Sequence, residues 1–541
     1  DYEFWSAKTS NRGMGTSYAK NAVDKYTMFT LENMLFYDKT FNDKHTLGVT
    51  LLQSIQEDKR ESVNVAMENL PADNLKYYDL GSGLVTNTIG SSMIKWNMAS
   101  FMGRINYNYL GRYLLTVSAR YDGSSRLADG HKWVLFPSAA LAWRINEESF
   151  MSSTSGWLDN LKLRLGFGKT GNSAVDPYQT KGTLSLIRYP FDNGGTPTIG
   201  YAPNAMANSL LTWETTDQWN LGIDFGVLRG RINGTIDLYM QNTHDLLLKR
   251  QLPVVSGLSN VGKTRNKGIE VSINSMNINS KDFQWTTDLM LSSNKEEIVE
   301  LYNGKNDDIG SKWFIGQPVN VHYDYRKVGI WQNTESDLAE MAKFAANGTE
   351  FAPGDIKIQD VNGDYKITDA DKQILGNPRP KLIASMVNTF NYKGFDLSVF
   401  LYASFGAMLY NDIYAVEHCG RNGGVKVDYW TPNNPTNAYP RPSIDEERPI
   451  YITSTYYEKA DFLRVKTMTL GYTLPKTLTN KFLVEKLRVY FTAQNPFIFT
   501  NYTGIVPEAA KVNSAGNPET NGSGFGTPSV SSWIFGINLT L

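Results

Sequence analysis

The chain has 541 residues, room for several ordinary domains or for one very large closed sheet. It is 12% aromatic, yet mean hydropathy is -0.36 and no stretch approaches the roughly 18 apolar residues of a spanning helix. A net charge of -1 without long basic runs argues against nucleic-acid binding, and the single Cys419 excludes a disulfide framework or a multi-Cys metal site.

From Asp1 onward there is no charged n-region, apolar h-region or small-residue cleavage site, the expectation for a mature chain, an internal piece or a fragment. Alternation of apolar and polar residues, the period of a strand with one greasy face, then recurs along the chain. Phe101, Gly103, Ile105, Tyr107 and Tyr109 share one face, with Met102, Arg104, Asn106 and Asn108 opposite. A turn at Leu110-Gly111-Arg112 leads into Tyr113–Tyr121. Trp133 to Ile145 and Leu161 to Gly168 repeat the pattern, the second with Lys162 and Arg164 on its polar face. Such charges are costly in a packed core and ordinary in a wet lumen.

A further pair, about 213–227 and 231–248, turns at Leu228-Arg229-Gly230, and hairpins follow near Asn279-Ser280, at Tyr392-Lys393-Gly394 and around Pro475–Leu483. The closing residues Trp533–Leu541 place Trp533, Phe535, Ile537, Leu539 and Leu541 on one face. Long Gly/Asn/Pro-rich segments over 59–96, 171–211, 332–380, 410–458 and 497–530 separate these short turns, as extracellular loops alternate with periplasmic turns in an outer-membrane barrel. The expected fold is all-β, a transmembrane antiparallel β-barrel whose greasy face meets the lipid bilayer.

Reversing direction at each turn gives about 17 strands, provided that Trp313–Ile315 and Val319–Trp331 are two strands joined at Gly316-Gln317-Pro318. Residues 1–20 then fall in an extracellular loop, and an odd count leaves a barrel that residues 1–541 cannot close alone. Helical signal is confined to a capped segment over 334–346 and a short one near 147–151. No strand–helix–strand rhythm suggests a doubly wound sheet or TIM barrel.

Candidate chemistry is sparse. Asp360, Asn362, Asp364, the carbonyl of Lys366 and Asp371 stand at positions 1, 3, 5, 7 and 12 of a calcium-type loop, although Tyr365 replaces the preferred Gly and Asp371 the longer Glu. Calcium there would brace the 332–380 loop. Gly166-Phe-Gly168-Lys-Thr-Gly171 spells a dinucleotide fingerprint, but it ends an alternating strand with no helix after it. The histidines, His418 among them, are scattered, and no catalytic constellation occurs, so an enzyme is not expected. Tyr429, Trp430, Tyr439, Tyr456 and Tyr457 crowd the 410–458 loop, as a ligand-stacking surface or as packing within the loop.

Several phrases resemble the C-terminal part of SusC-like TonB-dependent outer-membrane transporters of Bacteroidetes. They include Gly103-Arg104-Ile105-Asn106-Tyr107, Tyr121-Asp122-Gly123-Ser124-Ser125-Arg126, Leu161-Lys162-Leu163-Arg164, Asn266-Lys267-Gly268-Ile269-Glu270, Phe462-Leu463-Arg464-Val465 and Gln494-Asn495-Pro496-Phe497, in family order across nearly the whole chain. The resemblance implies a barrel of about 22 strands with an N-terminal plug and early strands outside this chain. It also implies a SusD-like surface lipoprotein over the loops, energy from TonB–ExbBD, and a place in the cell outer membrane. A starch-type oligosaccharide is the first expectation for the cargo and a peptide the second. A surface receptor or adhesin on the same barrel and a secreted all-β hydrolase are the competing readings.

Overall fold

In a computed structural model of the protein, the described residues are 1–541 apart from 13–14, 190–197, 252–255, 412–425, 444–447, 483, 505 and 509–529. Cys419 and His418, and parts of the 410–458 and 497–530 segments, lie outside them.

Among the described residues sixteen strands form the main sheet, hydrogen-bonded in chain order. They are β1 Tyr2–Trp5, β2 Tyr18–Phe41, β3 His45–Glu68, β4 Val85–Tyr109, β5 Tyr113–Ser124, β6 Trp133–Arg144, β7 Leu158–Asn172 and β8 Glu214–Val227. The order continues with β9 Ile232–His244, β10 Lys263–Asn279, β11 Phe283–Glu300, β12 Leu382–Tyr392, β13 Phe395–Phe405, β14 Phe462–Thr473, β15 Lys486–Thr500 and β16 Ser532–Thr540. From β1 to β6 and from β11 to β16 each strand is antiparallel to the next. The tight turns use left-handed backbone: Asn42 and Asp43 at φ 48 and 55 in the three residues between Phe41 and His45, and Leu228, Arg229 and Gly230 at 59, 58 and 73 in the four between Val227 and Ile232. Among the described residues no helix is long and apolar enough to cross a membrane.

The sheet therefore differs from the expected strand count in two places. Trp313–Ile315 and Val319–Trp331 do not span. Ile315 makes one isolated bridge to Ile298, while His322–Asp324 and Lys327–Ile330 pair with Gln373–Gly376 and Ile356–Ile358 in two small sheets. Adjacent residues Val321 and His322, and again Ile330 and Trp331, are all buried, so this stretch is covered on both faces and belongs to a packed loop domain. Conversely, part of the 1–20 segment is strand, with Tyr2–Trp5 laddered to Tyr18–Asn21.

The chain divides into two compact units. The first comprises 1–143, 166–219 and 243–263. Here β2, β3 and β4 run for 24, 24 and 25 residues, more than twice the roughly 9–11 that cross a bilayer. The expected 59–96 loop is corrected accordingly: it shrinks to the 69–84 connection. On the face carrying Phe101 and Ile105, the outer portion bears the ion pairs Lys95–Glu57 (2.9 Å) and Lys59–Glu61 (2.8 Å). Charges belong in water, so the strands leave the lipid below that row, and the apolar alternation fades there for the same reason.

Lower on that face Tyr121 stacks on Trp133 at 4.9 Å and Tyr113 on Trp143 at 6.4 Å. The opposite face is hydrogen-bonded: Thr116 donates to Asn106, Ser118 meets Ser138 at 2.7 Å, and Arg120 donates to Ser100 and Asp122. A separate sheet of Thr183–Tyr189, Thr198–Ala205, Leu247–Gln251 and Ser256–Asn260 and a small core of Leu127, Val175, Leu211 and Trp213 also belong to this unit. Gly171 belongs to that packing, since a Cβ there would sit 2.2 Å from Phe136 Cζ, which explains the glycine without a nucleotide.

The second unit comprises 144–165, 220–242 and 264–541. On β16, Trp533, Phe535, Ile537 and Leu539 are exposed on the apolar face, with Trp533 stacked on Phe491 of β15 at 5.7 Å. Gly536 lies on the other face, where a Cβ would come within 2.3 Å of Tyr490 Cζ; the glycine lets that ring lie across the strand.

Candidate functional site

Two features of the second unit are candidates for a functional site: the polar wall of the sheet and a loop domain between β11 and β14.

The wall is charged and internally satisfied. Arg164 on β7 donates to Asp224 on β8 (2.9 Å) and to Asp237 on β9 (3.1 Å), and Lys162 lies 3.6 Å from Asp224. Further along, Arg488 on β15 donates to Asp396 on β13 (2.9 Å), and Thr469 meets Thr492 at 2.9 Å. A face that alternates with Leu470, Phe491 and Ile537 yet holds these groups opposes water to lipid across one strand thickness.

The loop domain has its own core. Thr334 caps helix α1 (Glu335–Ala346) by accepting from Asp337 N at 3.3 Å, as its Thr-Glu-Ser-Asp start predicts. The second expected helix, near 147–151, is instead a run of short 3₁₀ turns. Trp331 is 0% exposed, edge-on to Phe344 of α1 at 5.9 Å and beneath Lys357 Nζ at 4.0 Å, which also bridges Asp337 at 3.1 Å. A second cluster joins Ile330, Ile356, Ile358, Trp430, Ile452 and Tyr456.

That cluster decides the fate of the predicted aromatic surface. Trp430 is 6% exposed with Nε1 donating to Gln332 (2.9 Å), Tyr456 is 1% exposed, and Tyr439 packs against the same core. Tyr457 turns inward, donating to Asp324 at 3.0 Å and lying 5.1 Å from the His322 ring. Only Tyr429 of the five is open, at 45%. The structure brings Trp430, Tyr439 and Tyr456 together as scaffold, the packing alternative of the two sequence readings.

Burial perturbs this interior. It pushes Lys327, whose Nζ donates to Ala438 O at 2.7 Å, down to about 8. It pushes Tyr325 up to about 12, with help from Asp369, and raises Tyr457, with help from Asp324. His322, 2.8 Å from Met408 O, is held below the usual histidine range.

The residues of the calcium-type loop are spent on local turns. Asp360 accepts from Gly363 and Tyr365 N–H groups (2.8 and 2.9 Å), Asn362 from Asp364 (3.1 Å), and Asp364 from Lys366 (2.8 Å). Asp371, 0% exposed, accepts from Val361 and Thr368, at 2.9 and 2.8 Å, with one oxygen each. Tyr365 takes φ 57 at the position where glycine is preferred. Among the described residues no group of three or more His, Cys, Asp or Glu stands where it could hold a metal.

Sequence reasoning missed Trp331, Phe351, Asp355, Arg441 and Tyr451, which tertiary folding gathers from separate segments. The expected spanning strand that contained Trp331 concealed its role.

A sheet with one lipid-fitted face, one charged face and loops elaborated between alternate strands is the wall of an outer-membrane β-barrel. The chain belongs to the TonB dependent receptor-like, beta-barrel family, whose model matches residues 1–496, and its place is the cell outer membrane. It is 32% identical over 531 residues to TonB-dependent receptor P3 of Formosa agariphila, covering 94% of this chain and 52% of that protein. To TonB-dependent receptor SusC of Bacteroides thetaiotaomicron it is 35% identical over 434 residues, 76% of this chain and 41% of that protein. The chain thus spans about half the length of the curated relatives it matches. The solved RagAB peptide transporter superposes with a TM-score of 0.80 at 22% identity, covering 97% of this chain and 56% of that one, a likeness of fold.

Proposed function

We propose that this chain is the barrel wall and loop face of a TonB-dependent importer that carries an oligosaccharide, starch-type first, across the outer membrane, with a peptide as the alternative cargo. The observation that carries the reading is the two-faced sheet with Arg164, Asp224, Asp237, Asp396 and Arg488 on its polar side, a hydrated path beside lipid. The saccharide comes first because it is the cargo that the SusC-like resemblance of the sequence implies. The likeness to the RagAB peptide transporter keeps the peptide alternative. A SusD-like lipoprotein over the loops, a plug segment and TonB–ExbBD complete the proposed machine, which does no chemistry on its cargo. Uptake of starch oligosaccharides and of oligopeptides by cells with and without the gene tests it; identical growth on every source refutes import and leaves the receptor or adhesin reading.

Calcium at Asp360, Asn362, Asp364, Lys366 and Asp371 is a further proposal that rests on the sequence pattern. Against it stands the engagement of both Asp371 oxygens by backbone N–H groups. A calcium titration that leaves both melting and heat of binding unchanged removes it.

A further inference from the structure

The loop domain encloses a cavity of about 320 Å³ between the turn after α1, the Gly354-Asp355 corner, Ile367 and the Pro440-Arg441 and Pro449–Tyr451 segments. We infer that this cavity binds a neutral sugar unit, making the loop domain a saccharide-capture site in its own right. The inference rests on the importer reading above and names its substrate class.

The size lies at the lower end of small-molecule sites, enough for one or two sugar rings. One part of the lining is apolar and aromatic: Ile356 and Ile367 with the rings of Phe351 and Tyr451, whose centroids are 6.4 Å apart at 48°. Inclined rings of this kind accept the C–H face of a pyranose. The other part is a fixed polar array. Arg441 Nε donates to Asp355 Oδ1 at 2.9 Å, and Asp355 Oδ2 accepts from Ala352 N at 2.8 Å, so the pair is held from both sides. Glu350 adds a second carboxylate. Planar guanidinium and carboxylate groups satisfy vicinal hydroxyls without a charge on the ligand. One cation against two carboxylates disfavours an anionic guest, whether a uronate or a peptide C-terminus.

Backbone strain marks the same place. Tyr451 holds φ 62 and ψ 14, a left-handed conformation rare for a bulky aromatic residue, and Gly354 holds φ 91. The bend at Tyr451 brings its ring to the cavity, while that ring also packs on the core and lies edge-on to Tyr325 at 5.0 Å.

The test is titration calorimetry on the whole protein in detergent with maltohexaose, cellohexaose, hexagalacturonate and hexa-alanine. At least one neutral hexasaccharide binds, more tightly than the acidic sugar or the peptide. Arg441→Met and Tyr451→Gly each weaken it about tenfold, the worth of one well-made contact. Glu350→Ala, at an exposed residue, weakens it several-fold with the melting curve unchanged, which separates binding from folding. Absence of neutral-sugar binding, tighter binding of the peptide or the galacturonate, or parental affinity in both Glu350→Ala and Arg441→Met overturns the site. Uptake of the same probes by cells is scored separately: import without cavity binding removes only the site, and binding without import of any probe removes the importer reading.

Discussion

A charge placed on one face of β16 and then on the other tests the whole architecture. Ile537 adjoins Gly536, the midpoint of this nine-residue strand, and faces outward between Phe535 and Leu539, opposite Val489. Nine residues tilted by about 45° rise about 20 Å, so Ile537 lies well inside the roughly 25 Å apolar band. Arginine there costs about 2–4 kcal/mol near the midplane. Asn538, one residue on, faces the polar side opposite Arg488, whose partner is Asp396. Arginine at 538 meets water and a like charge partly neutralised by Asp396, a penalty of about 1 kcal/mol or less. Ile537→Arg is therefore expected to shift the folding equilibrium by roughly 30- to 1,000-fold and Asn538→Arg by less than about tenfold. Guanidinium unfolding from phospholipid vesicles, followed by tryptophan fluorescence and by the heat-resistant band on gels, measures both. Equal costs, or a larger cost at Asn538, would refute the assignment of faces.

Trp331→Ala empties the fully buried centre of the loop domain and is expected to cost about 3–5 kcal/mol locally, seen as faster hydrogen exchange over 327–358 while β12–β16 keep their protection. Gly354→Ala imposes a side chain at φ 91 with Cβ 2.5 Å from Trp430 Cε3; a loss of about 1–3 kcal/mol is expected, with red-shifted tryptophan emission as Trp430 loosens. Burial lowers the proton affinity of His322, so below pH 6.5 the opened segment takes up a proton that the closed one resists. Exchange protection around 322–376 is expected to be full above that pH and to fall as pH drops, and His322→Gln should flatten the profile.

Alternation made the wall legible because a strand between lipid and water has no freedom in which residue faces which. Leu161–Gly168, Trp213–Val227 and Trp533–Leu541 therefore announced themselves, as did the hairpin at Leu228-Arg229-Gly230 and helix α1 with its Thr334 cap. The 59–96 stretch misled because β3 and β4 continue into water, where both faces tolerate polar residues and the period is no longer enforced. The 319–331 stretch misled in the opposite sense, since a segment covered on both faces shows apolar residues that imitate a spanning strand.

The site was legible only as a list of residue types. Trp430 and Tyr456 read as a ligand-stacking surface or as packing alike, because loop aromatics in a polar segment carry no sign of what covers them. The sequence by itself determined the two-faced sheet, its turns and its membership in a family of outer-membrane receptors. Only tertiary structure decided that Trp430 and Tyr456 are scaffold and that Asp355, Arg441 and Tyr451 surround one cavity. Facing is a local property repeated every second residue, whereas a pocket assembled from segments nearly a hundred residues apart exists only once packing has closed it.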